Sequence, residues 1–387
     1  MQDIFISNIQ INKVRHLKEL EIPLSKEQKK HLIITGKNGS GKTSLLDSIS
    51  TFFNSILCDN DFIEGMSNSE IERKEASPGG VILQITQSWK EFRSLFQKGN
   101  FVVAYYQANR VFQAQVPKHI EKVILKSDYA IHETPREEFL KYLLDLKMTE
   151  ALATASGKLE KANKIKQWFD SFEKLLKQIF EDDSVQLEFD DDTFQFHINI
   201  EGREPFDFNT LSSGYAAILD VVVDLMIRME KQQNHVFDFS IPGIVLIDEI
   251  ETHLHLELQK NILHLLTVIF PNIQFIVSTH SPFILNSLEN VAIYDLETRV
   301  FVENGLSDIP YSGIVEGYFN TESMSMTLKH KFHRYKELVY KRDLTDEDFD
   351  EISELELYLN EIPDYLALGV TTEYQRLKQE LQNREDI

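Results

Sequence analysis

Among 387 residues there is one cysteine, Cys58, so no disulfide can close within the chain. That sets aside the disulfide-stapled secreted folds, and the expectation is a reducing, cytoplasmic compartment. No apolar run approaches the ~20 residues of a membrane-spanning helix, so a membrane partner is not expected. Met1-Gln2-Asp3-Ile4-Phe5 lacks the basic-then-apolar layout of a signal peptide and reads as the start of a strand. Positive charge is also scarce: 40 Lys and Arg face 62 Asp and Glu, a net charge of −22. Such a chain is a poor general binder of nucleic-acid phosphates, which excludes a whole-surface DNA clamp and leaves only local basic patches. Internal repeats and low-complexity linkers are absent as well.

What is present is a phosphate cradle. Gly36-Lys37-Asn38-Gly39-Ser40-Gly41-Lys42-Thr43 fits G-x-x-x-x-G-K-[ST]. Leu32-Ile33-Ile34-Thr35 before it reads as a buried strand, and Ser44-Leu45-Leu46-Asp47-Ser48-Ile49 after it reads as the first turns of a helix. Glycines let backbone N–H groups turn inward around a β- and γ-phosphate, and the helix N-terminus adds positive potential. Lys42 supplies a mobile charge, and the Thr43 hydroxyl is a ligand for Mg²⁺. The expected ligand is therefore a nucleoside triphosphate with Mg²⁺, held by Asn38, Gly39, Ser40, Gly41, Lys42, Thr43 and Ser44.

Further along, Ile244-Val245-Leu246-Ile247-Asp248-Glu249 is an apolar strand tipped by two carboxylates. At the C-terminal edge of a parallel sheet such a tip faces the ligand crevice. Asp248 is the candidate for holding Mg²⁺, and Glu249 the candidate base for the attacking water. Tyr105-Tyr106-Gln107 ends another strand, and Gln107 is placed to touch both metal and water. Leu211-Ser212-Ser213-Gly214 opens a long helix, where hydroxyls and a glycine make an anion site. Ser278-Thr279-His280-Ser281-Pro282 puts a histidine at a further strand tip, able to donate to the γ-phosphate. Taken singly, the signature tetrapeptide reads as a helix cap and the histidine as structural; together in one chain they carry more.

These pieces occur in the order found in ABC-type ATPase heads, and the chain resembles the soluble branch that contains RecF, the SMC proteins and the OLD-type ATPases. Glu251-Thr252-His253-Leu254-His255 is similar to the Glu-x-x-Leu-His element of OLD-like and RecF-like heads. Ile250 and Leu256 stand where prolines are usual there, and Tyr215 replaces the Gln or Glu of transporters. The resemblance implies an α/β fold, a phosphate-loop NTPase with a mixed central sheet, an antiparallel β portion, a helical insertion and a helical C-terminal segment. Its expected parts are a first ATPase half over 1–110, a helical insertion over 111–184, a second half over 185–310 and an extension over 311–387. It further implies catalytic roles for Glu249 and His280, metal contacts from Thr43, Gln107 and Asp248, and nucleotide contacts from Gln107. In a head-to-tail pair, Ser212, Ser213 and Gly214 would cap the partner's ATP.

A compact head without its own effector resembles the ATPase subunits of two-gene bacterial phage-defence systems, of the PARIS (AriA) and Septu (PtuA) kinds. The resemblance implies an oligomerising ATPase that holds or activates a separate effector, a nuclease. The alternatives are a RecF- or SMC-like repair ATPase that binds DNA, and a transporter subunit. Two stretches bear on the choice. Lys329, Lys331, Arg334, Lys336, Lys341 and Arg342 interleave with Phe332, Tyr335 and Tyr340, a pattern suited to nucleic acid or to an amphipathic helix. The acid run from Asp343 to Glu351 reads as a helix start with Thr345 and Asp348 as its cap. The insertion carries an apolar stripe at Leu159, Ala162, Ile165, Phe169, Phe172, Leu176 and Ile179.

Overall fold

The computed structural model describes residues 4–58, 78–110, 112–233, 235–309, 313–314, 326–360 and 368–384. The chain divides into two compact units, Met1–Ile309 and Pro310–Ile387. Residues 59–80, with Gly65, Ser67, Ser69, Ser77, Pro78, Gly79 and Gly80, read from the sequence as a surface loop, and up to position 77 they lie outside the described residues.

The first unit opens with β1 (Ile6–Val14), β2 (Leu17–Pro23) and β3 (His31–Thr35), then helix α1 (Lys42–Cys58). From the sequence, Ile4-Phe5-Ile6 and Ile9-Gln10-Ile11 read as two short strands; the structure makes residues 6–14 one strand with an irregularity between Ile6 and Asn8, and Ile6, Ile9 and Ile11 are all buried. Next come β4 (Val81–Ile85), α2 (Trp89–Gln97) and β5 (Val102–Tyr106). Two long helices follow, α3 (Phe139–Ala155) and α4 (Leu159–Phe180), then the hairpin strands β6 (Gln186–Asp190) and β7 (Gln195–Asn199). Helix α5 (Ser213–Gln233), β8 (Gly243–Ile247), α6 (Leu256–Ile269), β9 (Ile273–Ser278), α7 (Pro282–Leu285), β10 (Val291–Asp295) and β11 (Phe301–Val302) complete the unit.

Six strands form the central sheet in the order β11-β10-β3-β9-β8-β5. All neighbours are parallel except the edge pair β10–β11, so the sheet is mixed. Every residue of β3, β5, β8, β9 and β10 is buried, as expected for parallel strands covered on both faces. A separate antiparallel sheet, β2-β1-β4, is stitched to it by Gln274 of β9. Its fully buried amide accepts from the Ile6 N–H at 2.8 Å and donates to the carbonyls of Ile6 and Lys30. Helix α1 lies between the sheets, with Leu45, Leu46, Ile49, Phe52 and Phe53 in the shared core. The fold is α/β, and the sheet order sets β3, β9 and β8 side by side with their C-terminal tips at one edge.

In the insertion, helices occupy 139–155 and 159–180, while 112–134 contains no helix. On α4 the stripe residues Ala162, Ile165, Phe172, Leu176 and Ile179 are buried and Phe169 is half-buried, while Leu159 is exposed at the helix start. Trp168 of α4 donates through Nε1 to Glu230 of α5 at 3.1 Å, fastening the insertion to the helix that follows the signature.

His31 heads β3 with its Nδ1 accepting the Phe275 N–H at 3.0 Å. Burial, helped by the Lys29 charge, pushes its imidazole down to about 4. A folded value below the unfolded one means the contribution is complete above the unfolded value and is lost as pH falls from about 6.5 towards 4. The stability gap between wild type and His31→Gln should therefore shift against wild type by roughly 2 kcal/mol between about pH 7 and about pH 5. Denaturant titrations at both pH values measure it, and an unchanged gap removes His31 from the acid response.

The second unit comprises α8 (Met326–Tyr340), α9 (Asp346–Asn360) and α10 (Leu368–Gln382). Its core is Phe332, Tyr335, Leu338, Val339, Ile352, Leu355, Leu359, Tyr374 and Leu377. At the start of α9, the Asp348 N–H donates to Thr345 Oγ1 and the Thr345 N–H donates to Asp348 Oδ2 at 2.8 Å, a reciprocal capping box. Phe332 and Tyr335 of the basic-aromatic stretch are buried in this core. Its cations pair internally: Arg334 with Glu351, Lys336 with Glu373, Lys341 with Asp348. Those carboxylates cancel much of the positive field a phosphate backbone would need.

Candidate functional site

The phosphate loop joins the tip of β3 to the first turn of α1. Gly36, Gly39 and Gly41 have φ of 133°, 85° and 103°, values that L side chains rarely adopt. At Gly36 a Cβ would also sit 2.8 Å from Ser40 Oγ, so shape and backbone both demand glycine there. Lys42 is buried and donates through Nζ to the carbonyls of Gly36 at 2.9 Å and Lys37 at 3.4 Å. Burial lowers its pKa, opposed by the negative charges of Glu249, Glu251, Asp248 and Asp295. Lys37 reaches across to Glu297, just beyond β10, at 2.9 Å and so braces the loop from outside.

Asp248 and Glu249 follow β8 directly. Thr43 Oγ1 donates to Asp248 Oδ2 at 2.8 Å, so the two expected metal ligands touch across 205 residues of sequence. The other oxygen, Asp248 Oδ1, accepts from Ser278 Oγ at 2.5 Å. Ser278 Oγ in turn accepts the Glu249 N–H at 2.8 Å. Parallel pairing of Ile247 with Val277 brings Asp248 level with Ser278, one step beyond the ladder. Glu249 has φ 44°, a left-handed backbone that is uncommon for a residue with a side chain.

His280 stands at the tip of β9 with Nε2 3.8 Å from Glu249 Oε1. Its backbone N–H donates to Glu251 Oε1. Burial and the Lys42 charge lower its pKa, so the ring is neutral at neutral pH. Its Nε2 is buried without a hydrogen-bond partner, as is Ser40 Oγ in the loop. Unpaired polar groups beside Lys42 suit an anionic ligand, because an empty apolar pocket would gain nothing from them. The paired hard oxygens of Thr43 and Asp248 suit Mg²⁺ by the same test.

Among the described residues, three expected site residues, Gln107, Ser212 and Ser213, make no side-chain hydrogen bond to this cluster. Gln107 lies just past β5, exposed, and only its carbonyl is engaged, by Arg110 at 3.1 Å. Ser212 and Ser213 are exposed, and among the described residues no hydrogen bond or ion pair joins either to the phosphate loop. Gly214 is buried against the turn that follows Glu249: a Cβ there would lie 3.2 Å from the His253 carbonyl. Helix α5 is locked to β5 by Tyr106, whose hydroxyl donates to Asp224 at 2.7 Å, and Asp224 also pairs with Arg228 and Arg136. Sequence reasoning assigned no role to Ser278, Arg110 or Asp224. Ser278 is recoverable once β8 and β9 are known to be neighbours. Arg110 and the Asp224–Tyr106 contact leave no local signal, because Asp248, Glu249, Ile250 and Tyr106 lie more than a hundred residues from the residues they meet.

Residues 121–286 match the family described as "AAA domain, putative AbiEii toxin, Type IV TA system". The chain is 24% identical over 314 residues to the Septu protein PtuA of Bacillus mycoides (strain KBAB4), covering 78% of this chain and 41% of that protein. It is 34% identical over 143 residues to the retron Ec83 probable ATPase of Escherichia coli, covering 36% of this chain and 26% of that one. The matched stretches thus span from about a quarter to two fifths of these relatives. Among solved structures, an Smc head bound to the C-winged helix domain of ScpA aligns over 79% of this chain and all of that one, at 16% identity and TM-score 0.40. Among the described residues, no helix is long and apolar enough to cross a membrane. Over the matched stretches the chain resembles an AAA-domain family, a retron probable ATPase and a Septu protein.

Proposed function

We propose that this chain binds and hydrolyses ATP, assembles around it, and through that assembly scaffolds or activates a separate effector, a nuclease, in anti-phage defence. The observation that carries the ATPase reading is the Thr43–Asp248 contact at 2.8 Å, beside a buried lysine on one side and the Glu249–His280 pair on the other. Bound there, Mg²⁺ would be held by Thr43 and Asp248 and would neutralise charge on the outer phosphates. Lys42 exchanges the Gly36 and Lys37 carbonyls for phosphate oxygens. Glu249 orients the attacking water and takes its proton. Neutral His280 donates from one ring nitrogen to the γ-phosphate. Ser212 and Ser213, exposed and without a hydrogen bond to the loop among the described residues, serve the site of a second copy, so one chain carries two halves of different sites.

The effector role rests on the similarity to a retron ATPase and to PtuA. A DNA-repair role is less well supported, because Arg334 and Lys336 of α8 and Lys341 just after it pair with acids of α9 and α10. The test is native purification with mass identification of bound proteins, alongside ATPase assays with and without DNA. A co-purifying nuclease supports the reading. Strong stimulation by DNA alone, with no bound protein, favours the repair reading instead.

A further inference from the structure

Arg110 is buried, yet it is not a partner in any close ion pair among the described residues. Its guanidinium instead spans four backbone carbonyls. Nη1 donates to Gln107 O at 3.1 Å and to Asp248 O at 2.6 Å; Nη2 donates to Glu249 O at 3.0 Å and to Ile250 O at 3.3 Å. Three of those carbonyls belong to consecutive residues at the tip of β8, and the fourth to the residue after β5. A planar fork with fixed donors can hold such a set; a lysine ammonium, with one nitrogen, cannot span it.

The middle carbonyl belongs to Glu249, whose φ of 44° is left-handed. A non-glycine residue stays in that region only where its surroundings over-determine it. Here the Glu249 N–H is held by Ser278 Oγ at 2.8 Å and its carbonyl by Arg110. Release of either side frees the peptide to rotate towards the right-handed region and swings the carboxylate away from His280.

We infer that Arg110 is a positioning residue: by clamping the carbonyls of 248–250 to that of Gln107, it holds Glu249 in its left-handed conformation and so aims the carboxylate for hydrolysis. The inference rests on the ATPase reading proposed above. The bonds of Arg110 go to backbone carbonyls and not to the side chains of Lys42, Thr43 or Asp248, so its loss should act on turnover rather than on binding.

The test compares the full-length chain with Arg110→Ala and Arg110→Lys, measuring ATPase kcat and KM and the affinity for a fluorescent ATP analogue. The expected result is a kcat lowered ~10- to 100-fold in Arg110→Ala, the scale of a misplaced reacting group, with analogue affinity within about threefold of wild type, since no binding contact is removed. Arg110→Lys should be intermediate, and added guanidinium should restore part of the alanine variant's kcat. Turnover within about threefold of wild type in both variants overturns the inference, as does a loss confined to nucleotide affinity. Should Arg110→Ala melt below the assay temperature, Arg110→Lys decides alone: wild-type kcat overturns the inference, and a lowered kcat with retained affinity supports it. A wild-type chain that hydrolyses no ATP overturns the ATPase reading and this inference with it, and is told apart by the silent wild type.

Discussion

Glu249→Gln should lower ATP turnover by ~10³-fold, within the range that a positioned general base contributes, while leaving nucleotide affinity near that of wild type. The amide keeps the shape of the side chain but cannot take the proton of the attacking water. Its backbone would be held as before, because both clamps on Glu249, from Ser278 and Arg110, act on the peptide and not on the carboxylate. If ATP joins two copies, the variant should also accumulate as an ATP-dependent dimer, since hydrolysis would no longer release it. Phosphate release and light scattering with ATP measure the two effects separately. Turnover equal to wild type would exclude Glu249 as the base; lost turnover without a larger species would leave the base assignment standing and count against the sandwich.

Lys42→Ala should weaken ATP binding by ~10²-fold, as loss of one or two hydrogen bonds to a charged group implies. The ammonium already sits inside the loop on the carbonyls of Gly36 and Lys37, so it needs only a short excursion to reach a phosphate. The same contacts mean that alanine leaves two loop carbonyls unpaired, and a small loss of thermal stability without ligand should accompany the binding defect. Calorimetric titration of wild type and variant with Mg²⁺-ATP reads the first effect, and melting without nucleotide reads the second. Affinity unchanged from wild type would mean that the loop does not hold the triphosphate.

Several structural features were legible before any coordinates, and for local reasons. A glycine-rich turn between an apolar strand and a helix is a short-range pattern, and the positive φ values at Gly36, Gly39 and Gly41 follow from it. The apolar-polar alternation around Asp190-Asp191-Asp192, which forms the hairpin at 186–199, and the capping box of Thr345 and Asp348 are local in the same sense. Less legible was the insertion before residue 139, where apolar residues sit in an extended segment without helical spacing. The basic-aromatic stretch of α8 read equally as a nucleic-acid surface, because the acids that neutralise it come from α9 and α10.

By itself, the sequence determined that this chain carries a phosphate loop, an acidic strand end and a histidine at a strand tip, since each depends on neighbours in the chain. Only the tertiary structure decided that these meet. The order β3-β9-β8-β5 brings Thr43 to Asp248, Ser278 to Glu249 and Arg110 to three carbonyls at the tip of β8. Strand order in a parallel sheet is set by which apolar faces pack against which helices, a contest among distant segments that local pattern cannot register. The left-handed Glu249 shows the same division: nothing around position 249 calls for it, and two partners from β9 and from beyond β5 hold it there.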